Sequence, residues 1–169
     1  MKKERKYWII AGAALIILIL TTMANWKTIL TTFIPQWEGF EPKPYWDVKQ
    51  WSWGYGTKVP GSGGPGSPNP GGSITKSQAL QEAIKHLNND YLYLRGLVRI
   101  PLKNNQWAAL LSFSYNEGSG NADNLVANIN AGPNYSALET QWKKYIYADG
   151  EISQDLIDRR DAEWNLFVA

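Results

Sequence analysis

The chain has 169 residues, and once an apolar stretch near its N-terminus is set aside the remainder suits one domain able to bury a core. A formal net charge of +2, from 17 Lys and Arg against 15 Asp and Glu, supplies no basic face for nucleic acid, so no nucleic-acid partner is expected. Cysteine is absent, which excludes disulfides, thiol nucleophiles and thiolate metal sites; the single histidine, His86, stands in a helical stretch far from any serine motif and reads as a surface residue, not a triad member.

Lys2, Lys3, Arg5 and Lys6 precede an unbroken apolar run from Trp8 to Leu20, which Thr21 to Ala24 extend weakly. Counted from Tyr7 to Ala24, the run reaches the lower end of the roughly 17 to 25 residues that cross a bilayer as a helix. Basic residues ahead of the span place residues 1–6 in the cytoplasm, residues 7–24 in the lipid bilayer as an anchor, and residues 25–169 outside. A cleaved secretory signal competes, since Thr22-Met23-Ala24 is a passable cleavage site; the strongly apolar Leu15–Leu20 core favours the anchor.

Beyond the anchor, Ile29, Leu30, Phe33, Ile34 and Trp37 recur at helical spacing and predict a first helix over 26–37, with a kink expected at Pro35. From Tyr45 to Gly56 the period changes to two, the mark of a short hairpin. Residues 59–73 are rich in Gly, Pro and Ser and predict a loop or flexible linker without a core of its own. Thr75-Lys76-Ser77-Gln78 is a capping box ahead of a long helix whose apolar face includes Leu80, Ala83, Ile84, Leu87, Tyr91 and Leu94. Pro101 breaks the pattern, and a further helix carries Trp107, Leu110, Leu111 and Tyr115 to a C-cap at Gly118. Ser136-Ala137-Leu138-Glu139 reads as another capping box, leading to Trp142, Tyr145 and Ile146, and a final helix occupies Gln154 to Val168. The sum is an α+β domain, mostly helical, with a small β-hairpin near its start and four or five helices after it.

Glu38 and Asp47 are the natural pair for glycoside hydrolysis, which needs one carboxyl that donates a proton and a second that stays ionised. Glu38 lies between Trp37 and Gly39-Phe40, an apolar neighbourhood that would favour its protonated form if the site is buried. A two-residue turn at Lys49-Gln50 would pair Val48 with Trp51 and Asp47 with Ser52, so that a carboxylate and a hydroxyl hold one water. Gly54 and Gly56 continue that face and would let a sugar approach the backbone, while Trp51, Trp53 and Tyr55 point the other way, toward the core.

At these residues the sequence resembles the phage-type lysozymes, the endolysin muramidases of glycoside hydrolase family 24. The matching strings are Trp37-Glu38-Gly39-Phe40, Tyr45-Trp46-Asp47, Ser52-Trp53-Gly54-Tyr55-Gly56, Ile74-Thr75-Lys76, Pro101-Leu102, Asn105-Gln106-Trp107-Ala108-Ala109-Leu110, Ser112-Phe113-Ser114-Tyr115-Asn116-Glu117-Gly118-Ser119-Gly120 and Arg159-Arg160-Asp161-Ala162-Glu163. The resemblance implies a lysozyme-like fold with a small β-lobe and a helical lobe, a muramidase activity on bacterial peptidoglycan strands, and no cofactor or metal. It maps the family's catalytic Glu, Asp and Thr onto Glu38, Asp47 and Ser52, and it implies that Tyr55, Asn116 and Gly118 line the glycan cleft. Two departures stand out. The family usually has one residue more than Val48 to Trp51 between the Asp and a Thr, where this chain has Ser52, and often His where this chain has Thr57. Inversion is the expected stereochemical outcome, a lytic transglycosylase the nearer alternative, and an inactive glycan-binding or structural virion protein the alternative outside enzymology. The anchored domain suits either host lysis or wall penetration at phage entry.

Overall fold

Asn25 starts the first helix, α1 (Trp26–Trp37): its side chain accepts from the Thr28 N–H at 3.1 Å, satisfying one of the donors that a helix start leaves bare. The computed structural model describes residues 25–132 and 135–169, so the expected cytoplasmic segment 1–6 and anchor 7–24 lie outside the described residues. Among the described residues no helix is long and apolar enough to cross a membrane. Pro35 sits inside α1 without ending it, and the Glu38 N–H still closes the last turn on the Ile34 carbonyl at 3.0 Å. The face carrying Trp26, Ile29, Leu30, Phe33 and Ile34 is buried.

Three antiparallel strands follow in the order β1 (Glu41–Asp47), β2 (Gln50–Gly54) and β3 (Thr57–Lys58). Their register corrects the expected turn: Asp47 pairs with Gln50, Trp46 with Trp51 and Tyr45 with Ser52, so the loop is Val48-Lys49 and not Lys49-Gln50. The Lys49 N–H bonds the Asp47 carbonyl around Val48, a γ-turn that takes Val48 to φ +45°. Because the slip is two positions, Asp47 and Ser52 stay on one face as diagonal neighbours. Gly54, at φ +62°, is buried, and a Cβ there would lie 2.6 Å from that of Ala79. Its missing side chain makes room for the next helix, not for a sugar. Segment 59–73 has no regular structure, yet it is tied down: Val59 is buried, Trp51 Nε1 donates to the Ser67 carbonyl at 3.1 Å and Asn69 reaches the Pro44 carbonyl at 3.4 Å.

Helix α2 (Lys76–Leu97) opens on the Thr75–Gln78 capping box and runs from the sheet into the helical region, burying Ala79, Ala83, Leu87 and Leu94. Helix α3 (Asn104–Glu117) is the centre of the core and packs against α1, α2, α4 (Ser119–Asn130) and α6 (Gln154–Val168). Residues 108–114 are buried without a break, which only a helix enclosed on all sides tolerates. Each fully buried Leu or Phe there contributes about 1.5–3 kcal/mol relative to exposure. Gly118 ends α3 at φ +86° and at once caps α4, a helix that the sequence reading left without an element. In α5 (Tyr135–Trp142), Ser136 is not a cap; it lies inside the first turn, where its carbonyl accepts from Thr140 at 2.9 Å. A second small hairpin, β4 (Tyr147–Ala148) with β5 (Glu151–Ile152), turns on Asp149-Gly150 at φ +51° and +84°. That Asp-Gly pair is a strong hairpin signal, obscured by its proximity to the helical run before it.

Candidate active site

Glu38 leaves the helix as the C-cap of α1, with extended backbone at φ −96° and ψ 126°, and is thereby aimed out of the bundle next to β1. Its side chain is 22% exposed, and its Oε1 accepts a charge-assisted bond of 2.7 Å from Arg159 Nη1. The purely apolar neighbourhood expected for it is therefore corrected. Trp37 and Phe40 do pack on the core, but a buried guanidinium faces the carboxyl.

Arg159 is held by further contacts: Nε donates to Glu163 Oε1 at 3.1 Å and Nη2 to the Ser112 carbonyl at 3.3 Å. Arg160 beside it donates to Glu117 Oε1 and Asn116 Oδ1, each at 2.9 Å. Glu163, fully buried, collects Ser112 Oγ at 2.7 Å and Trp142 Nε1 at 3.1 Å as well. Helices α3, α5 and α6 are thus joined by one buried polar cluster. The sequence reading gave Arg159, Arg160 and Glu163 no role. Their signal was available, since charged residues there share the helical face of Trp164 and Phe167.

Asp47 ends β1 and is exposed to solvent. Ser52 is completely buried; its hydroxyl accepts from Gln50 Nε2 at 3.1 Å and points at Asp47 Oδ2 at 3.5 Å, at the outer limit of a hydrogen bond. The Tyr45 side chain is on the same face of β1 as that of Asp47. Partial burial pushes its pKa up, and the charges of Asp47, Glu38 and Glu41 push it further. Tyr115 of α3 is partly buried. Burial raises its pKa most, Glu38 and Tyr45 add to that and Arg159 opposes it, while its hydroxyl donates to the Tyr55 carbonyl at 2.6 Å.

The residues expected to line a cleft divide. Asn116 and Gly118 are exposed at the C-terminal end of α3, with Asn116 oriented by Arg160. Tyr55 is 5% exposed; its ring is tilted against that of Phe40 with centroids 5.6 Å apart, and its carbonyl accepts from Tyr115. A groove of about 290 Å³ starts at Gln50 and Gly56 and runs along α2 past Glu82, Lys85, His86 and Asn89, with Thr57 and Lys58 on its other side. His86 is exposed there, its ring 5.7 Å from that of Tyr115. Among the described residues no group of His, Cys, Asp and Glu is arranged to hold a metal.

Solved structures share this architecture. The muramidase domain of SpmX from Asticaccaulis excentricus superposes with a TM-score of 0.70 at 23% identity, covering 82% of this chain and 94% of that one. An endolysin from Escherichia coli O157:H7 phage FAHEc1 gives 0.66 at 24%, over 82% and 89% of the two chains. A mutant P22 lysozyme gives 0.66 at 26%, over 82% and 94%. No curated protein sequence matches the chain. The fold is lysozyme-like, mostly helical α+β with a small β-hairpin region, and the sequence pattern of phage lysozyme matches residues 35–163. By that match, over most of its length, the chain belongs to the phage lysozyme family.

Proposed function

We propose that the chain is a peptidoglycan hydrolase, an N-acetylmuramidase that cleaves between N-acetylmuramic acid and N-acetylglucosamine. The observation that supports this reading best is the sequence pattern of phage lysozyme over residues 35–163, together with Glu38 at the end of α1, its carboxyl bonded at 2.7 Å by the buried Arg159. Glu38 donates its proton to the glycosidic oxygen, and the carboxylate that remains is received by Arg159 at 2.7 Å. Asp47, exposed, directs water at the anomeric carbon. Ser52 is buried and acts through Asp47, whose carboxylate it orients. Asn116 and Gly118 border the strand at the end of α3, and no cofactor takes part.

Glu38→Gln is expected to abolish clearing of cell-wall suspensions at unchanged melting temperature; full activity in that variant would sink the proposal. Mass spectra of the products separate hydrolysis from lytic transglycosylation, which leaves anhydro-muramic ends, and from a glycan binder, which releases nothing. The anomer formed first in NMR reports inversion, for which the carboxyls should stand roughly 6.5–9.5 Å apart, against about 5–5.5 Å for retention.

We further propose that residues 7–24 anchor the enzyme in a bilayer, with the N-terminus cytoplasmic and the catalytic domain outside. The 12 residues of α1 rise only about 18 Å, so catalysis would occur close to the membrane, whether in host lysis or in wall penetration at entry. Release of the full chain from membranes by high salt alone would contradict the anchor.

A further inference from the structure

Arg159 and Arg160 are 3% and 0% exposed, and a guanidinium does not give up its charge inside a protein. Each therefore needs an anion beside it. Three carboxylates touch the pair. Glu163, completely buried, accepts on Oε1 from Ser112, Arg159 and Arg160; its Oε2 accepts from Trp142 and lies 2.8 Å from Arg160 Nε, a close charge contact without hydrogen-bond alignment. Both oxygens accept and neither donates, the pattern of a carboxylate and not of an acid. Glu117 supplies the second anion, 2.9 Å from Arg160 and 20% exposed. Glu38 is the third, and it is one more than two cations require.

We infer that Glu163 is a positioning residue that balances the charge of Arg159 from inside the core, so that Glu38 is free to carry the proton it delivers. The inference rests on Glu38 being the acid. With Glu163 in place, a protonated Glu38 leaves Arg159 still paired. Without it, Glu38 is the only carboxylate on Arg159, and protonating Glu38 strands a buried cation. The other groups facing Glu38 do not alter this count. Tyr45 of β1 and Tyr115 of α3 are phenols held above their ordinary range by burial and by the carboxylates, hence neutral at working pH. Facing Glu163 are Ser112 of α3 and Trp142 of α5, both uncharged, besides the two arginines.

The test is the pH profile of wall hydrolysis by the whole protein at constant ionic strength. Glu163→Gln keeps shape and removes one negative charge. The alkaline limb, where the acid loses its proton, should move to lower pH by roughly 1 unit or more, leaving activity at acidic pH largely recovered. A residue that only supports the fold would lower activity by one factor at every pH; that result, with the limb unmoved, overturns the inference while leaving Glu38 as acid. Glu117→Gln covers the case in which Glu163→Gln does not fold. Its amide oxygen can still accept from Arg160, and its limb should move the same way by less, since Glu117 is partly exposed; an unmoved limb there also overturns the charge balance. Glu38→Gln, inactive at all pH values, is the separate control, and activity in it would fail the underlying reading instead.

Discussion

Glu38 and Asp47 stand at the ends of successive elements, α1 and β1, but the molecule holds them by different means. On the Glu38 side a buried guanidinium makes a 2.7 Å bond to the carboxyl and is itself fixed through Glu163 and the Ser112 carbonyl. On the Asp47 side the carboxylate is exposed, its one side-chain partner among the described residues is a hydroxyl at 3.5 Å, and the turn next to it bends through a valine with positive φ. The proposed acid, Glu38, is tied to the core of the domain, whereas the proposed water-directing group, Asp47, rides on a hairpin. Removing the arginine that holds Glu38 should therefore lose fold and activity together, whereas substitutions on the Asp47 side should separate them.

The largest effect is expected at Arg159. Arg159→Ala leaves Glu163 with one fewer cation and Glu38 with none, and breaking one partner out of a buried ion pair costs about 3–5 kcal/mol. Thermal or denaturant unfolding should show that loss alongside loss of wall clearing; a variant that melts like the parent would mean that the cluster contributes nothing to stability. Asp47→Asn comes next and should behave oppositely. Turnover should fall by about 10²–10⁴-fold, the range of a general base, at an unchanged melting temperature, because the side chain is exposed and bonds only weakly. If its melting temperature drops with its activity, the contrast between the two sides fails.

How far the sequence revealed this contrast differs between its halves. Periodicity and capping located α1, α2 and α6, because apolar spacing and Thr75–Gln78 are local signals that the tertiary structure did not override. Glu38 and Asp47 were legible as a carboxyl pair within the strings that resemble the phage-type lysozymes. The neighbourhood of Glu38 did not, since Arg159 lies 121 positions away and only the packing of α6 on α3 brings it in. Ser52 was legible as a neighbour of Asp47 but not as a buried one, because burial depends on α2 closing over Gly54. The register error has the same origin as the unusual turn. Lys49-Gln50 and Val48-Lys49 both lack the Asn or Gly of ordinary hairpins, so composition could not place the reversal. Where such chemistry was present, at Asp149-Gly150, the turn has the backbone that those residues prefer.

Ser52→Ala sharpens the hairpin side further. Removing a buried hydroxyl that bonds Gln50 and approaches Asp47 should cost about 1 kcal/mol of stability. Turnover should fall by roughly tenfold, well short of the Asp47 variant, since one hydrogen bond of about 1.4 kcal/mol is the whole stake. A fall as deep as that of Asp47→Asn would make the hydroxyl a direct participant and not a support for the carboxylate.

The smallest effect bears on the turn itself. A β-branched residue at positive φ is strained by about 1–2 kcal/mol, and Val48 at +45° is 81% exposed, so no packing offsets the strain. Val48→Gly relieves it, less the greater freedom that glycine gives the unfolded chain, for a net gain of about 1 kcal/mol. In a domain of this size that is a rise of about 2–4 °C in melting temperature. Turnover should not change, because the pairing of Asp47 with Gln50 fixes the end of β1 whichever residue fills the turn. A more stable but slower variant would show instead that the bend at Val48 aims Asp47, and the strained side of the site would then be as deliberately held as the buried one.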